Sequence, residues 1–341
     1  MRVADSTTQR NYLEYLNQAK TNYAETNERI ASGARFLTLS DDVSAGTRVL
    51  RVREDMSKTQ DYYNTVKSVN SELSVTENAI TQISTILANV HTKIVKGLSD
   101  STGASGREAL ANEIDNLKSE LLQYANTKYN DKFVLGGTSA VTVPFTTKDG
   151  KLYYNGVDVS QVTKNADGKY VDGSGNAIPM DGDIYADIGL GLTFKQDGSG
   201  NTKVVSDTAM KVSYSGLDVL GFGDGSTTGS YSNVYNLLTD ISTALRSNDT
   251  TTLGTLDTKL TNTSQSFSRF VTDVGTKTSY LDDLQESIET KLDAYQSQIS
   301  NLMGIDDAKE ATNQTLNDYV LKAVLAMGAK ILPLSLMDYV K

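Results

Sequence analysis

The chain of 341 residues contains no cysteine and a single histidine, His91. Without cysteine it can form neither a disulfide nor a thiolate metal site. One imidazole is too few for a two-histidine metal motif, and in the middle of a helix it does not suit a Ser–His–Asp catalytic set. The sequence therefore predicts no catalytic, cofactor-binding or metal-binding residue. His91 is interpreted as a residue on a helix surface.

The chain also lacks an excess of positive charge and a long uncharged apolar run. Its formal net charge is −10, whereas phosphate binding needs clustered Lys and Arg, so nucleic acid is not an expected partner. The most apolar stretch, Tyr319 to Met337, contains Lys322, Lys330 and Pro333. A membrane span needs about 20 mostly uncharged residues. We therefore expect a helix that packs on other helices and no membrane partner, and the first residues predict no cleavable Sec signal.

A heptad repeat is present in two segments that lie far apart in the sequence, residues 60–98 and 252–303. The apolar series of the first segment is Val66, Leu73, Ile80, Leu87 and Ile94. The series of the second segment is Val274, Leu281, Ile288, Tyr295 and Leu302. A seven-residue repeat keeps one apolar seam of a helix against a partner helix, as in a coiled coil. The two segments are predicted to lie side by side, with residues near 80 and near 290 in one body.

Helix boundaries are predicted from breaks and capping patterns. Residues 33–41 predict a break before a long helix that ends at about Leu98. Capping-box spacing predicts helix starts at two further places, Ser105 with Glu108 and Asp307 with Glu310. The helix after Ser105 is predicted to continue to about residue 133.

The middle of the chain has a different composition. Between Gly137 and Gly229 there is no Arg and no Glu. Dipeptides that supply the positive φ angles of tight hairpins recur there; they are Asp149-Gly150, Asn155-Gly156, Asp167-Gly168 and Asp197-Gly198. The predicted fold is mainly α with an inserted β domain (α+β), in which the N- and C-terminal parts form a long antiparallel coiled coil or helical bundle.

Three domains follow from this division. Residues 1–33 and 306–341 are predicted to be terminal assembly helices, residues 34–135 and 230–305 a helical rod, and residues 136–229 the β-rich insertion. The terminal segments carry only thin apolar stripes, and isolated helices of this kind are marginal in water. We therefore expect both ends to be largely disordered in the monomer and to order against neighbouring copies.

Motifs near both ends resemble a known family. They are residues 28–53, which begin Glu28-Arg29-Ile30-Ala31-Ser32-Gly33-Ala34-Arg35, residues 133–145, and residues 329–339. They are similar to the flagellin superfamily and, within it, to the hook–filament junction proteins. The similarity covers roughly residues 1–137 and 230–341. Val43 stands where many members have proline, so the resemblance does not fix the bend before the long helix.

The resemblance implies a flagellin-like structural protein of the extracellular bacterial flagellum. It implies an adapter between a hook-side junction protein and the flagellin filament, assembled as a helical ring of copies of itself. It also implies unfolded export through the flagellar type III apparatus and a cytoplasmic export chaperone on the C-terminal helix. No cofactor is implied.

Candidate assembly residues lie in the terminal segments. The apolar candidates are Leu16, Tyr23, Ile30, Val320, Val324, Met327, Leu334 and Leu336. They are interpreted as the core between subunits; the alternative is that they pack only within their own subunit. The charged candidates are Arg29, Arg35, Asp41 and Asp42, as salt-bridge formers between subunits or as simple helix caps.

Three other functions remain open on the sequence. A flagellin filament subunit belongs to the same class and differs in copy number. A coiled-coil surface adhesin with a ligand-binding β domain would need a signal or an anchor. An enzyme within residues 138–228 would need a clustered polar pocket, which one histidine and no cysteine do not favour.

Overall fold

The computed structural model describes residues 2–138, 142–165, 168–196, 202–223 and 233–337. Its helices are α1 (Arg2–Ser32), α2 (Val43–Leu98), α3 (Ala104–Ala125), α4 (Gly216–Leu220), α5 (Val234–Arg246), α6 (Thr250–Met303) and α7 (Asp307–Met337). The chain divides into two compact units, of which the first is Met1–Gln60 with Glu289–Lys341 and the second is Asp61–Ile288. The three-domain division expected from the sequence stays a prediction.

In the first unit, α1 and α7 pack against each other as an antiparallel pair. Asn317 lies beside Thr26, and Gly328 lies against the ring of Tyr12. The structure therefore differs from the disordered ends that the sequence predicts. Each helix has too little apolar surface to be stable alone, but the two segments supply each other's partner.

The rest of the first unit is built around a short connection between α1 and α2. Gly33, with φ of 65°, ends α1 in the left-handed conformation that glycine adopts easily. The next residues turn back towards the end of α6, and Arg35 N donates to Met303 O over 2.6 Å. A small apolar cluster lies beneath this connection. It contains Phe36, Ala45 and Val49, with Ile299, Leu302 and Met303 packed against them.

In the second unit, α2 and α6 are antiparallel and share the predicted seam. The five residues of the first heptad series are 0–1% exposed, and Val274 and Leu281 of the second series are fully buried. Thr278 donates to Glu77 over 3.2 Å. The predicted pairing is confirmed, but its register differs from the expected one. Because residue 77 lies beside 278, residue 80 lies opposite residues well before 290, and residues 80 and 290 fall in different units.

Helices α3 and α5 pack closely beside this seam. The end of α2 fits against α5 at Gly97, where a Cβ would lie 2.5 Å from Leu245 Cδ2. Arg107 of α3 donates to Gly97 O over 2.8 Å and to Asn248 Oδ1 over 3.3 Å. One guanidinium thus joins the end of α2 to the turn that follows α5.

The helix predicted to run to residue 133 ends earlier, at Ala125. It is followed by an antiparallel hairpin of β1 (Lys128–Tyr129) and β2 (Lys132–Phe133). Asn130 and Asp131 have φ of 45° and 63°, which are the positive angles of a two-residue hairpin turn. The prediction was wrong because this Asn-Asp turn was read as a continuation of the helix.

The insertion is a set of short antiparallel sheets. Its strands are β3 (Phe145–Lys148), β4 (Lys151–Tyr154), β5 (Val157–Asp158), β6 (Thr163–Lys164), β7 (Tyr170–Val171), β8 (Tyr185–Ala186), β9 (Phe194–Gln196), β10 (Thr202–Val204) and β11 (Met210–Lys211). Strands β3, β4 and β5 form one sheet in that order, and β6 pairs with β7, β8 with β11 and β9 with β10.

Two of the predicted hairpins are confirmed. The turn between β3 and β4 contains Asp149 and Gly150, with φ of 52° and 76°. The turn between β4 and β5 contains Asn155 and Gly156, with φ of 48° and 86°. Of the other two predicted turns, Asp167 and the Asp197-Gly198 dipeptide lie outside the described residues.

At both predicted capping boxes, the residue that precedes the helix lies one or two positions before the predicted cap. The residue before α3 is Gly103, which supplies no side-chain cap, so Ser105 lies inside the helix. Before α7, the cap is Asp306, whose Oδ1 accepts from Lys309 N over 3.0 Å. The carboxylate at this position satisfies a backbone N–H that has no partner within the helix.

Within the described part of the chain, no helix combines the length and apolar character that crossing a membrane requires.

Candidate assembly interface

The N-terminal half of α1 and the C-terminal half of α7 form an apolar groove in the first unit. Tyr12 and Ala19 are buried, and Val320, Val324 and Met327 line the other side. The groove has a volume of about 560 Å³ and is bordered by polar residues. These are Thr8, Asn11, Gln18 and Asn22.

The other half of the same helix pair is joined by polar side chains. Thr26 is 0% exposed, and its Oγ1 accepts from Asn317 Nδ2 over 2.8 Å. Gln314 Nε2 donates to Asn27 Oδ1 over 2.6 Å. Arg29 Nε lies 3.5 Å from Glu310 Oε2. We call Thr26, Asn27 and Arg29 with their partners Glu310, Gln314 and Asn317 the polar ladder.

The structure places the predicted apolar candidates in three positions. Leu16, Tyr23 and Val324 are half-buried, which fits packing within their own subunit. Ile30, Val320 and Met327 are exposed, and Met327 is 57% exposed. Leu334 and Leu336 lie in the last turns of α7, outside the residues whose side chains the structure describes.

Further apolar side chains point to solvent and were missing from the predicted set. They are Leu13 and Tyr15 on α1 and Leu316, Tyr319 and Leu325 on α7. Tyr319, for example, is 71% exposed. Large apolar residues that fall outside a helix's main stripe were the available sequence signal. Their number along a single helix pair marks a surface suited to binding another apolar surface.

The charged candidates have partners within the chain. Arg29 lies between Glu25 and Glu310. Arg35 Nη2 lies 3.1 Å from Asp42 Oδ2, and Asp42 Oδ1 caps α2 by accepting from Ala45 N over 2.9 Å. These contacts show the cap role for Asp42.

Asp41 organises the connection that precedes α2. Its Oδ2 accepts from the backbone N–H groups of Leu37 and Thr38, and its Oδ1 accepts from Thr38 Oγ1. The hydrogen bond from the Thr38 backbone is the main cause of an Asp41 pKa below its ordinary value. Asp41 is therefore a turn-stabilising residue within its own chain.

His91 is half-exposed on α2, as expected, and its Nε2 lies 3.5 Å from Asp257 Oδ1. Among the described residues, no group of three or more His, Cys, Asp or Glu side chains is arranged to hold a metal ion. The segment that starts at Asp172 is a turn, because Asp172 Oδ1 accepts from the backbone N–H of Ser174 and of Asn176, each over 2.8 Å.

Asp181 is a half-buried acid of the insertion. The Tyr154 hydroxyl lies 3.4 Å from Asp181 Oδ1 and 3.3 Å from Leu135 O, so these two acceptors share its one hydrogen. Burial raises the pKa of Asp181, and the nearby carboxylates Asp218 and Asp183 raise it further. This group joins the insertion to the segment that follows β2.

Residues 3–140 match the family described as the bacterial flagellin N-terminal helical region. This part of the chain is therefore similar to the N-terminal helical region of flagellins. Among curated proteins, it is 24% identical over 144 residues to flagellar hook-associated protein 3 of Escherichia coli K12, a match that covers 42% of this chain and 45% of the relative. It is 25% identical over 207 residues to flagellin of Aquifex aeolicus, which covers 60% of this chain and 39% of the relative.

Solved structures show the same fold. A protein from Vibrio parahaemolyticus assigned as a flagellar hook-associated protein matches with a TM-score of 0.55 at 16% identity, over 77% of this chain and 100% of the other. Bacillus cereus FlgL matches with a TM-score of 0.50 at 17% identity, over 73% and 99%.

The comparisons confirm the resemblance to the flagellin superfamily and the mainly α, flagellin-like fold with a β insertion. They also confirm the expected location in the extracellular bacterial flagellum. The matched part of the chain spans less than half the length of the curated relatives, 45% and 39%. The named curated relatives are a hook-associated protein and a flagellin.

Proposed function

We propose that this chain is the adapter that joins a hook-side junction protein to the flagellin filament. The observation that carries the proposal is the α1–α7 pair, which buries Tyr12 and Ala19 but leaves large apolar side chains outward on both helices. A helix pair with apolar residues on its outside needs further protein surface to cover them. The likeness to hook-associated protein 3 supports the position at the junction.

The proposed partners follow from this surface. Head-to-tail contacts between identical chains build rings or open helices, so neighbouring copies are the first partners. The hook-side junction protein and flagellin are the partners at the two ends of such a ring. Export occurs in the unfolded state through the flagellar type III apparatus, with a cytoplasmic chaperone covering the C-terminal helix before export.

A clean deletion of the coding sequence tests the proposal. Cells without the chain are expected to make hooks without filaments and to release flagellin into the medium. Electron microscopy of the cell surface and immunoblotting of the medium measure both outcomes. Re-expression of the unaltered chain is the control and should restore filaments. Filaments of normal length in the deletion strain would contradict the adapter role.

A flagellin filament subunit is the second candidate, and the likeness to Aquifex aeolicus flagellin favours it. The two roles differ in propagation. A filament subunit is expected to polymerise alone into long filaments when purified chain is seeded with its own fragments. An adapter is expected to stop after short assemblies and to elongate only when flagellin is added.

A further inference from the structure

The antiparallel pairing of α1 and α7 depends on an alignment that apolar contacts alone do not define. Apolar residues recur along α7 at spacings of three and four, as at Val320, Val324 and Met327. Such a stripe presents a similar surface after a shift of one heptad. Some other feature must distinguish the observed alignment from its shifted neighbours.

The polar ladder opposes a shift in one direction. In the observed alignment Thr26 meets Asn317, and Asn27 meets Gln314. If α1 instead packed seven residues closer to the C-terminus of α7, Thr26 would face Val324 and Asn27 would face Leu321. Thr26 would keep its hydrogen bond to Asn22 O within α1, but the hydrogen bonds that Thr26 and Asn27 accept across the pair would both be lost. Their loss, with no replacement from Val324 or Leu321, makes the shifted alignment less stable.

A steric contact opposes the shift in the other direction. Tyr12 lies on Gly328, and a Cβ added at Gly328 would overlap the Tyr12 ring. If α1 packed seven residues closer to the N-terminus of α7, Tyr12 would face Leu321 instead of Gly328. The ring of Tyr12 has no space for that side chain in the present packing.

We propose that the polar ladder and the Tyr12–Gly328 contact are specificity determinants that fix the alignment of α1 against α7. Polar residues within a helix interface commonly set alignment at some cost in stability. The alignment decides which apolar side chains of the two helices lie together on the outer surface. The inference extends the proposed function, since those side chains are its assembly surface, but the alignment is a property of the single chain.

Distance measurement between spin labels tests the alignment in the full chain. Because the chain has no cysteine, Lys20→Cys and Lys309→Cys introduce the only thiols, at two exposed positions. In the observed alignment, residue 309 lies closer to the N-terminus of α7 than the residues of α7 that face residue 20. A shift of one heptad moves the two helices by about 10 Å along their axes. The pulsed electron paramagnetic resonance spectrum of the labelled chain should show one main distance.

Removing each determinant should change the distance between the spin labels in opposite directions. Thr26→Val with Asn317→Leu should add a population roughly 10 Å longer, and Tyr12→Ala should add one roughly 10 Å shorter. Thr26→Ser keeps the hydroxyl and should retain the single distance. One unchanged distance in both variants overturns the proposal. Loss of helical circular dichroism in both variants also overturns it, because the contacts would then hold the pair together and not select its alignment. These outcomes do not depend on the deletion phenotype, which tests the adapter role alone.

Discussion

Asn70 of α2 donates a hydrogen bond of 2.6 Å to Asp282 of α6, although 212 residues separate them along the chain. The contact flanks the apolar seam of the second unit, where Leu73 and Leu281 are fully buried. Sequence-distant heptad segments thus form one packed interface, and its energetics can be tested at single positions.

Leu73→Ala should destabilise the second unit strongly. Leu73 is 0% exposed, and removing a buried leucine side chain costs about 2–5 kcal/mol from lost burial and the remaining cavity. Val95→Ala is the matched control on the same helix, since Val95 is 53% exposed and its truncation should change stability by less than about 0.5 kcal/mol. Urea unfolding followed by circular dichroism measures both. Equal losses at the two positions would show that the seam is not the stabilising contact.

Gly216→Ala should destabilise the insertion. A Cβ at Gly216 would overlap the ring of Phe145 and lie 2.8 Å from Leu135 O, so the first turn of α4 would have to move, at about 1–3 kcal/mol. Gly254→Ala is the control, because a Cβ there meets nothing within 4 Å. In the helix interior that change should stabilise by about 0.5–1 kcal/mol. Differential scanning calorimetry compares them, and a stabilised Gly216→Ala protein would refute this packing.

Asp181→Asn should raise the free energy of unfolding at neutral pH. Burial raises the folded-state pKa of Asp181, so its contribution to stability is fully present below the unfolded value near 3.8 and is lost as the pH rises through the folded-state pKa. The advantage of the amide should therefore disappear below about pH 4. Urea titrations followed by tyrosine fluorescence measure this at several pH values. An Asn variant that is less stable at pH 7 would disagree with it.

Asp172→Asn should act with the opposite sign. Hydrogen bonds from Asn176 lower the pKa of Asp172, so its ionised form contributes stability above the unfolded pKa, and this is lost as the pH falls through the folded-state pKa. The Asn variant should be the less stable protein at pH 7, and the difference should vanish in acid. The same titrations test it, and a pH-independent difference would be the contrary result.

Tyr319→Asp with Leu325→Asp should abolish filament attachment while the chain stays helical. These side chains are 71% and 48% exposed and lie outside the lining of the apolar groove, so a charge there costs the single chain little but would be buried without a partner in an assembly. Thr315→Asp, at an exposed polar position of the same helix, is the control and should restore swimming in the deletion strain. Swimming restored by the doubly charged variant would exclude this surface from assembly.

The sequence predicted those parts of the fold that follow from repeated chemistry. The seam around Leu73 and Leu281 was predictable because an apolar seven-residue repeat that continues over many helical turns indicates a coiled coil. The turn at Asn155-Gly156 was predictable because its positive φ angles require such residues. The hairpin at Asn130-Asp131 was missed, although an Asn-Asp dipeptide tolerates the same angles.

The candidate interface was predictable only in part. The sequence pointed to exposed residues such as Val320 and Met327, because apolar stripes near chain ends are a visible pattern. It could not show that Thr26 and Asn317 meet, since polar side chains carry no periodic signal and their pairing depends on how α1 aligns with α7. The same holds for Gly328, whose role depends on the Tyr12 ring opposite it.

Gly136 and Ser215, which enclose all the strands of the insertion from β3 to β11, form an isolated β-bridge with each other. Residues paired in this way lie roughly 5 Å apart, so the two ends of the segment between them lie close together. A foreign module whose own ends are equally close could therefore be grafted between these two residues.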